Sequence, residues 1–164
     1  MENRYLYKAK RLDNGEWVEG YLVEQEHPDY HAYIIRSINI EMDEKYIDIL
    51  QHEIYEVNPE TICQCTGLTD KNGNKIWEND ILSQKTTEKH WCQWSRKVIV
   101  KFGEYDWNED CDGCKNIGFF LEQIEKNLQD MGSGLTEEYI RDKCYIYEVV
   151  GNIFDNPELL ESEG

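Results

Sequence analysis

The sequence predicts a mainly β protein with a few short helices, and two observations support this prediction. First, the pairs Asn14-Gly15 and Asn72-Gly73 each separate two segments of alternating residue type. Asn-Gly favours the type I′ turn of a β-hairpin, because both central residues of that turn need a positive φ. Second, the later apolar segments are short and bounded by glycine, with connections too short for parallel β-α-β units. Together these features predict antiparallel strands in a small barrel or sandwich.

The composition is that of a folded chain. Its 164 residues are enough for one domain or two small ones. Low mean hydropathy and high charge favour disorder. However, 40% of the residues are hydrophobic and 12% are aromatic, which is enough bulk to build a core.

The amino-terminal part is predicted to be rich in β-strands. Residues 4–12 and 17–23 alternate in character on either side of the first Asn-Gly pair, so they form the arms of the first hairpin. A short strand pair is expected at residues 32–35 and 38–40. Residues 46–55 are ambiguous, because their apolar positions fit a helical period while the neighbouring residues favour strands.

Asn58-Pro59 marks the predicted boundary between two domains, residues 1–58 and residues 59–164, because proline removes a backbone donor and restricts the residue before it. In the second domain, strands are expected where short apolar or alternating runs occur: residues 61–68, 75–82, 97–102, 117–121 and 145–154, the last with a bulge or bend at Gly151.

Two short helices and two long loops complete the predicted second domain. One helix carries a stripe of helical spacing over residues 121–128, at Leu121, Ile124, Glu125 and Leu128, and ends near Gly132. Asn156-Pro157 predicts the other, with asparagine as N-cap and proline in the first helical position. Residues 85–96 and 103–116 are polar, charged and without periodicity, so we predict loops there.

The chain is strongly acidic, with 34 Asp and Glu against 17 Lys and Arg and a net charge of −17. This disfavours direct binding to nucleic acid or to anionic membranes, since such binding depends on Lys and Arg. No apolar run reaches the roughly 18 residues of a membrane span, and the amino terminus lacks a signal-peptide core. We therefore expect a cytoplasmic protein whose six cysteines are thiols or metal ligands.

Two segments resemble a known family. Residues 64–82, QCTGLTDKNGNKIWENDIL, resemble the central motif of the YopX family of phage and prophage proteins, and residues 147–160, YEVVGNIFDNPELL, resemble its carboxyl end. The resemblance implies an SH3-type β-barrel in the second domain, a gene in a phage or prophage, and no established biochemical activity. Asn79 stands where the family usually has glycine, and asparagine tolerates a left-handed backbone, so we expect the turn to be preserved. Turn and strand residues alone explain most positions of the motif.

Four cysteines raise the question of a metal. Cys111 and Cys114 have the Cys-x-x-Cys spacing of a zinc site, which Cys63 and Cys65 would complete. However, Cys63 and Cys65 are equally well explained as small buried residues on one side of a strand. We predict no metal ion, no cofactor and no catalytic residue, and zinc is the open alternative.

The predicted binding residues are three tryptophans in the predicted loops, Trp91, Trp94 and Trp107. Exposed aromatic residues among polar ones are typical of protein recognition sites. The alternative is that these side chains fold back over the end of the barrel. We predict a non-catalytic module, not an enzyme, that binds a host or phage protein or associates with itself. Two other hypotheses stay open: a nucleic-acid mimic that blocks a DNA-binding host protein, and a metal-dependent enzyme with an unrecognised site.

Overall fold

The computed structural model describes residues 5–26, 28–42, 47–85, 95–106, 115–124, 137–140 and 144–161. The chain divides into two compact units, Met1–Cys65 and Thr66–Gly164. The border between these units falls after Cys65, while the sequence analysis placed a domain boundary at Asn58-Pro59.

Most of the described residues lie in antiparallel strands, which confirms the mainly β prediction. In chain order the strands are β1 (Tyr7–Lys10), β2 (Trp17–Gln25), β3 (His31–Met42), β4 (Ile47–Val57), β5 (Cys63–Thr69), β6 (Lys75–Trp77), β7 (Asp80–Lys85), β8 (Ser95–Asp106), β9 (Lys115–Gln123), β10 (Glu137–Tyr139) and β11 (Glu148–Asn152). Short 3-10 helices cover Pro59–Thr61, Cys144–Ile146 and Pro157–Leu160. The last one has Pro157 in its first turn, as predicted. Within the described ranges, no helix is long and apolar enough to cross a membrane.

In the first unit the strand order is β4-β3-β2-β1-β5, and β5 continues into the second unit. The first predicted hairpin is confirmed, because β1 and β2 pair from Tyr7 opposite Gly20 to Lys10 opposite Trp17. Gly15 in the turn has a φ of 73°. This left-handed conformation explains why glycine stands there.

The strands β3 and β4 form a long hairpin, so the prediction of two short strands at residues 32–35 and 38–40 is wrong. Both segments lie in β3, which pairs with β4 along its length. The register shifts between Ile35 and Ser37, which makes Arg36 an extra residue on β3. A bulge shifts the alternation of the two faces, so the sequence pattern breaks although the strand continues. The ambiguous segment belongs to β4 from Ile47 onward.

One face of the first unit's sheet is packed. Its buried residues are small or β-branched: Ala9, Val18, Ala32, Ile34 and Val57. Gly20 lies on the same face as Val18, two residues along β2. A Cβ at Gly20 would lie 2.3 Å from the backbone oxygen of Ile35. The close approach of β2 and β3 therefore requires glycine at this position.

The second unit contains a five-stranded antiparallel sheet in the order β10-β9-β8-β7-β11. The core of the second unit is built from strand residues together with one residue that follows β10 and one that precedes β11. These core residues are Ile76, Leu82, Val98, Val100, Leu121, Ile140 and Tyr147. The second predicted hairpin is also present, because β5 and β6 are neighbours. Gly73 in its turn has a φ of 85° and donates its N–H to the carbonyl of Asp70 across 3.0 Å.

This sheet is open in the described part of the chain and does not close into the barrel that the resemblance implied. Its two edges are β10 and β11. β10 has three residues, and β11 has a register shift between Val149 and Gly151, which confirms the predicted bulge. Short or bent edge strands offer few aligned backbone groups for closure.

The hairpin of β8 and β9 is longer than predicted. The two strands pair as far as Asp106 opposite Lys115. Residues 103–106 and 115–116, which were predicted as loop because they are polar or glycine, are therefore strand. Backbone pairing across Gly103 and Gly118 continues the ladder where the side-chain pattern gives no signal.

The predicted helix at residues 121–128 is wrong at its start. Leu121 lies in β9, is fully buried and is paired with Val100. Its apolar character comes from packing against the sheet core, and the helical spacing to Ile124 is coincidental. The segment from residue 125 to Gly132 lies outside the described residues.

Candidate functional site

The predicted binding residues Trp91, Trp94 and Trp107 lie outside the described residues. The strand between Trp94 and Trp107 is described, and it runs from Ser95 to Asp106. A strand rises about 3.3 Å per residue, so the two ends of this strand lie roughly 35 Å apart. The sequence analysis treated the tryptophans as one group, whereas Trp91 and Trp94 precede β8 in the chain and Trp107 follows it.

The candidate zinc ligands also divide into two sets. Cys111 and Cys114 lie outside the described residues. Cys63 and Cys65 are buried thiols of β5, and the Sγ of Cys63 donates to the carbonyl of Thr61 across 3.4 Å. Among the residues that the structure describes, no three or more His, Cys, Asp or Glu side chains are grouped to hold a metal ion. Burial on a strand accounts for Cys63 and Cys65, and zinc binding stays a hypothesis.

The first unit exposes apolar side chains on the face of its sheet opposite the core. Residues paired across antiparallel strands share a face. The register places Tyr21 beside Ile35, Ile35 beside Ile54, and Val23 beside Tyr33. The exposed fractions of Tyr21, Val23 and Ile54 are 58%, 46% and 44%. We call these five residues the open face.

Sequence reasoning missed the open face, although a signal for it exists. The segments Tyr21-Leu22-Val23 and Tyr33-Ile34-Ile35 are apolar at consecutive positions. A strand with one solvent-exposed face alternates between apolar and polar residues. A strand that is apolar on both faces has apolar surface to bury on both sides of the sheet. Ile34 belongs to the buried core, and Leu22 packs against that core. The neighbouring residues in the two segments therefore lie on the opposite face of the sheet.

Next to the open face, β1 and β2 carry a cationic and aromatic cluster. The Nζ atoms of Lys8 and Lys10 lie 5.1 Å and 5.5 Å from the ring centroid of Trp17. Such cation–π contacts are worth about 0.5–1 kcal/mol at exposed sites. The sheet surface therefore changes from cationic and aromatic at β1 to apolar at β3 and β4.

A shallow pocket lies where this surface reaches β4, the last strand in the order of the sheet. Its lining comes from the turn after β1 and from the end of β4: Arg11, Leu12, Asp13, Ile54, Tyr55 and Glu56. Its volume is about 470 Å³. We call it the edge pocket. The exposed fraction of Leu12 is 58%, so two apolar side chains, those of Leu12 and Ile54, line the pocket and also face solvent.

Charged neighbours fix the walls of the edge pocket. The guanidinium of Arg11 lies 4.2 Å from the ring centroid of Tyr55, and its Nε donates to Asp13 Oδ1 across 2.9 Å. This hydrogen bond raises the pKa of Arg11 and lowers the pKa of Asp13, and desolvation opposes both changes less strongly. On the other side, Glu56 Oε1 lies 2.7 Å from His31 Nδ1. The pocket thus presents apolar groups between side chains that already have partners.

The two segments that carry the family resemblance meet in a hydrogen-bond network around Asp70, which is 5% exposed. Asp70 Oδ1 accepts from the backbone N–H of Asn72 and of Asn74, at 2.9 Å and 2.8 Å. Asp70 Oδ2 accepts from the backbone N–H of Val149 at 3.0 Å. Asn74 Nδ2 also donates to Asp70 Oδ2 across 3.1 Å. Three backbone donors and one side-chain donor thus meet at one carboxylate, so the network shapes the fold.

Comparisons with known proteins identify a family and a fold. Residues 6–161 match the family model described as YopX protein. The chain is also similar to the crystal structure of protein EF1440 from Enterococcus faecalis, with 24% identity, a TM-score of 0.55, and coverage of 94% of this chain and 96% of that one. At this identity the likeness shows the fold alone. A search among curated proteins finds no match.

Proposed function

The chain belongs to the YopX protein family, and on that premise we propose that it is a non-catalytic protein-binding module. We further propose that it is an acidic accessory protein of a phage or prophage, because its motifs resemble those of a family of phage and prophage proteins, and that it acts in the bacterial cytosol. The observation that supports binding is the open face, where exposed apolar side chains of β2 and β4 lie on either side of the partly exposed Tyr33 and Ile35 of β3.

The composition of this face favours a protein as the partner. A contiguous group of large exposed apolar side chains is uncommon on monomeric proteins and marks interaction sites. Tyr21 and Tyr33 are aromatic, and aromatic residues are enriched where interfaces gain most of their binding energy. The neighbouring Lys8, Lys10 and Trp17 would supply the polar margin that such interfaces have.

The test is a capture experiment with a double variant, Tyr21→Thr with Val23→Thr. Threonine keeps the β-propensity of both positions while it removes most of their apolar surface. Tagged wild-type and variant proteins are incubated with a lysate of a bacterial host, and the retained proteins are quantified. We expect the variant to lose the retained partner by about tenfold or more, with a thermal midpoint close to that of the wild type.

The matched control is Ile117→Thr, which removes an apolar side chain that is 78% exposed in the second unit. This control should retain the partner at the wild-type level. Equal retention by the wild type and by the Tyr21 and Val23 variant would remove the open face as the binding surface.

Nucleic-acid mimicry is the second candidate, and the net charge of −17 favours it. A mimic would bind a basic protein through spread carboxylates, so its affinity should fall steeply between low and moderate salt. Binding through the open face should change little over the same range. Capture with the Tyr21→Thr and Val23→Thr variant separates the two functions, because a mimic should retain its partner without this apolar surface and binding through the open face should not.

A further inference from the structure

We propose that the outer edge of β4, next to the edge pocket, receives an extended basic segment of the partner protein as an added antiparallel strand. An apolar side chain of that segment would lie between Leu12 and Ile54. This inference rests on the proposed protein-binding function, and it specifies the site and the chemistry of the segment that binds there.

The chain itself already uses the outer edge of β4 at one end. The N–H of Leu12 donates to the carbonyl of Glu56 across 3.0 Å, the N–H of Asn58 donates to the carbonyl of Lys10 across 2.8 Å, and Arg11 forms an antiparallel bridge with Val57. The segment around Arg11 thus makes one short antiparallel addition to β4. It then turns away into the first hairpin.

The backbone beyond this point is oriented to receive a strand. In a β-strand the N–H and C=O of one residue point to the same side, and the side alternates with each residue. The carbonyl of Glu56 points away from β3, because it accepts from Leu12. The N–H and C=O of Ile54, two residues earlier, therefore point away from β3 as well. An incoming strand would pair there, as extended peptides do when they add to exposed sheet edges.

The edge pocket offers the incoming strand a place for one side chain. Leu12 and Ile54 are 58% and 44% exposed, so both have apolar surface to bury. Tyr55 is held by the guanidinium of Arg11, and Arg11 is held in turn by Asp13. Walls that are fixed before binding reduce the entropy lost on association. Ile54 also belongs to the open face, so the added strand would extend that surface.

Charge identifies the segment as basic. Residues 1–65 hold 14 Asp and Glu and 6 Lys and Arg, a net charge of −8. Near the edge, Glu53 is 3.7 Å from Arg36, and both side chains are well exposed, which leaves that carboxylate largely available to an incoming cation. A second copy of this chain would bring another net charge of −17 to the same edge, so self-pairing is disfavoured. An acidic segment is disfavoured for the same reason.

The test uses a defined probe, a fluorescein-labelled peptide of sequence Lys-Val-Arg-Ile-Lys-Val-Lys, with fluorescence anisotropy as the readout. Two matched peptides accompany it: one in which glutamate replaces every lysine and arginine, and one with N-methyl groups on alternate residues, which blocks strand pairing without changing charge. We expect the basic peptide to bind, the acidic peptide not to bind, and N-methylation to weaken binding by about tenfold or more, since several backbone hydrogen bonds are lost.

The protein variants are Leu12→Ser and Ile54→Thr, both at exposed positions outside the buried core, with Ile117→Thr as control. Each of the first two variants should lower the affinity for the basic peptide by about fivefold, and the control variant should leave it unchanged. If Ile54→Thr lowers the thermal midpoint, Leu12→Ser decides the outcome. Absence of peptide binding, or binding that is indifferent to N-methylation and to Leu12→Ser, would overturn the inference. Since lysate capture tests the open face through Tyr21 and Val23, a failure at the edge of β4 is distinguishable from a failure of the proposed function.

Discussion

Val149 donates its backbone N–H to Asp70 Oδ2 across 3.0 Å, although 79 residues separate the two in sequence. A second bond lies beside it, from the N–H of Lys71 to the carbonyl of Tyr147 across 3.0 Å. These contacts connect the turn of the second hairpin to the start of β11. The two segments that resemble YopX motifs are therefore joined to each other by backbone hydrogen bonds.

Replacement of Asp70 by asparagine should destabilise the protein. The carboxylate accepts hydrogen bonds on both oxygens, whereas an amide accepts on one and would turn its NH₂ toward a backbone donor, that of Val149 or those of Asn72 and Asn74. A buried donor without a partner costs about 1–3 kcal/mol. We expect Asp70→Asn to lower the free energy of unfolding by that amount in urea titration, and Glu122→Gln, at an exposed position on β9, to leave it unchanged.

The same carboxylate makes stability depend on acid pH. Desolvation by burial is the largest single influence and raises the pKa of Asp70, but hydrogen bonds from Val149, Asn74 and Asn72 together outweigh it and hold the pKa below the ordinary value of 3.8. A folded-state pKa below the unfolded one means that the unfolded chain binds the proton more tightly. The contribution is therefore present above the unfolded pKa and is lost as pH falls through the folded pKa.

We expect the thermal midpoint of the wild type to fall below about pH 4 more steeply than that of Asp70→Asn. Calorimetric scans of both proteins between about pH 2 and pH 6 test this. Parallel curves for the two proteins would contradict the assignment of this acid dependence to Asp70.

Local signals in the sequence were sufficient for the hairpins and insufficient for the long strands. Asn14-Gly15 and Asn72-Gly73 marked the positions of both turns correctly, but the predicted type I′ is wrong, because only the glycine of each pair has a positive φ. The continuity of β3 depends on a bulge at Arg36 that only pairing with β4 can accommodate. The burial of Leu121 depends on contacts with residues distant in the sequence. Patterns within a short window do not contain such information.

The turn before β7 depends on a left-handed backbone conformation at Asn79. It has a φ of 64°, its N–H donates to the carbonyl of Val100 across 2.8 Å, and its own carbonyl accepts from Ile153 across 3.1 Å. A left-handed backbone costs about 1–2 kcal/mol for most L-residues, and asparagine and glycine tolerate it best. Asn79→Ala should therefore lower the free energy of unfolding by about 1 kcal/mol, while Asn79→Gly should change it little. A glycine variant as unstable as the alanine variant would show that the side chain of Asn79, and not its φ, matters.

Gly20 should not tolerate even one added carbon. Its Cβ would lie 2.3 Å from the carbonyl oxygen of Ile35, and this atom belongs to the backbone and cannot rotate away. Overpacking of this kind costs about 1–3 kcal/mol. We expect Gly20→Ala to lower the thermal midpoint by several degrees, about 2–4 °C for each kcal/mol. Gly103→Ala is the control, since its Cβ would meet its nearest neighbour at an ordinary 3.8 Å.

The candidate site was less predictable than the fold. The three tryptophans were chosen because aromatic residues in polar loops have no obvious packing role, which is a property of the sequence alone. The open face consists of apolar strand residues, such as Val23 and Ile35, whose alternation alone does not tell a covered face from an exposed one. Which face of a two-sided apolar strand is covered depends on the architecture of the whole unit. The edge pocket arises because the turn after β1 reaches the end of β4. No sequence motif predicts this contact.

Trp91 and Trp94 precede β8 and Trp107 follows it, so the length of this strand predicts that the two groups act independently in binding a partner. Ser95 and Asp106 terminate this strand, and their separation of roughly 35 Å exceeds the distance of about 7–10 Å within which substitutions usually couple. Trp91→Ala with Trp94→Ala should weaken a captured complex and leave the thermal midpoint nearly unchanged. Trp107→Ala should add its own effect to within about 0.5 kcal/mol in a double-mutant cycle of binding free energies. A larger coupling energy would mean that both groups of tryptophans contribute to one contact, and full binding by the Trp91 and Trp94 variant would remove these two residues from the interface.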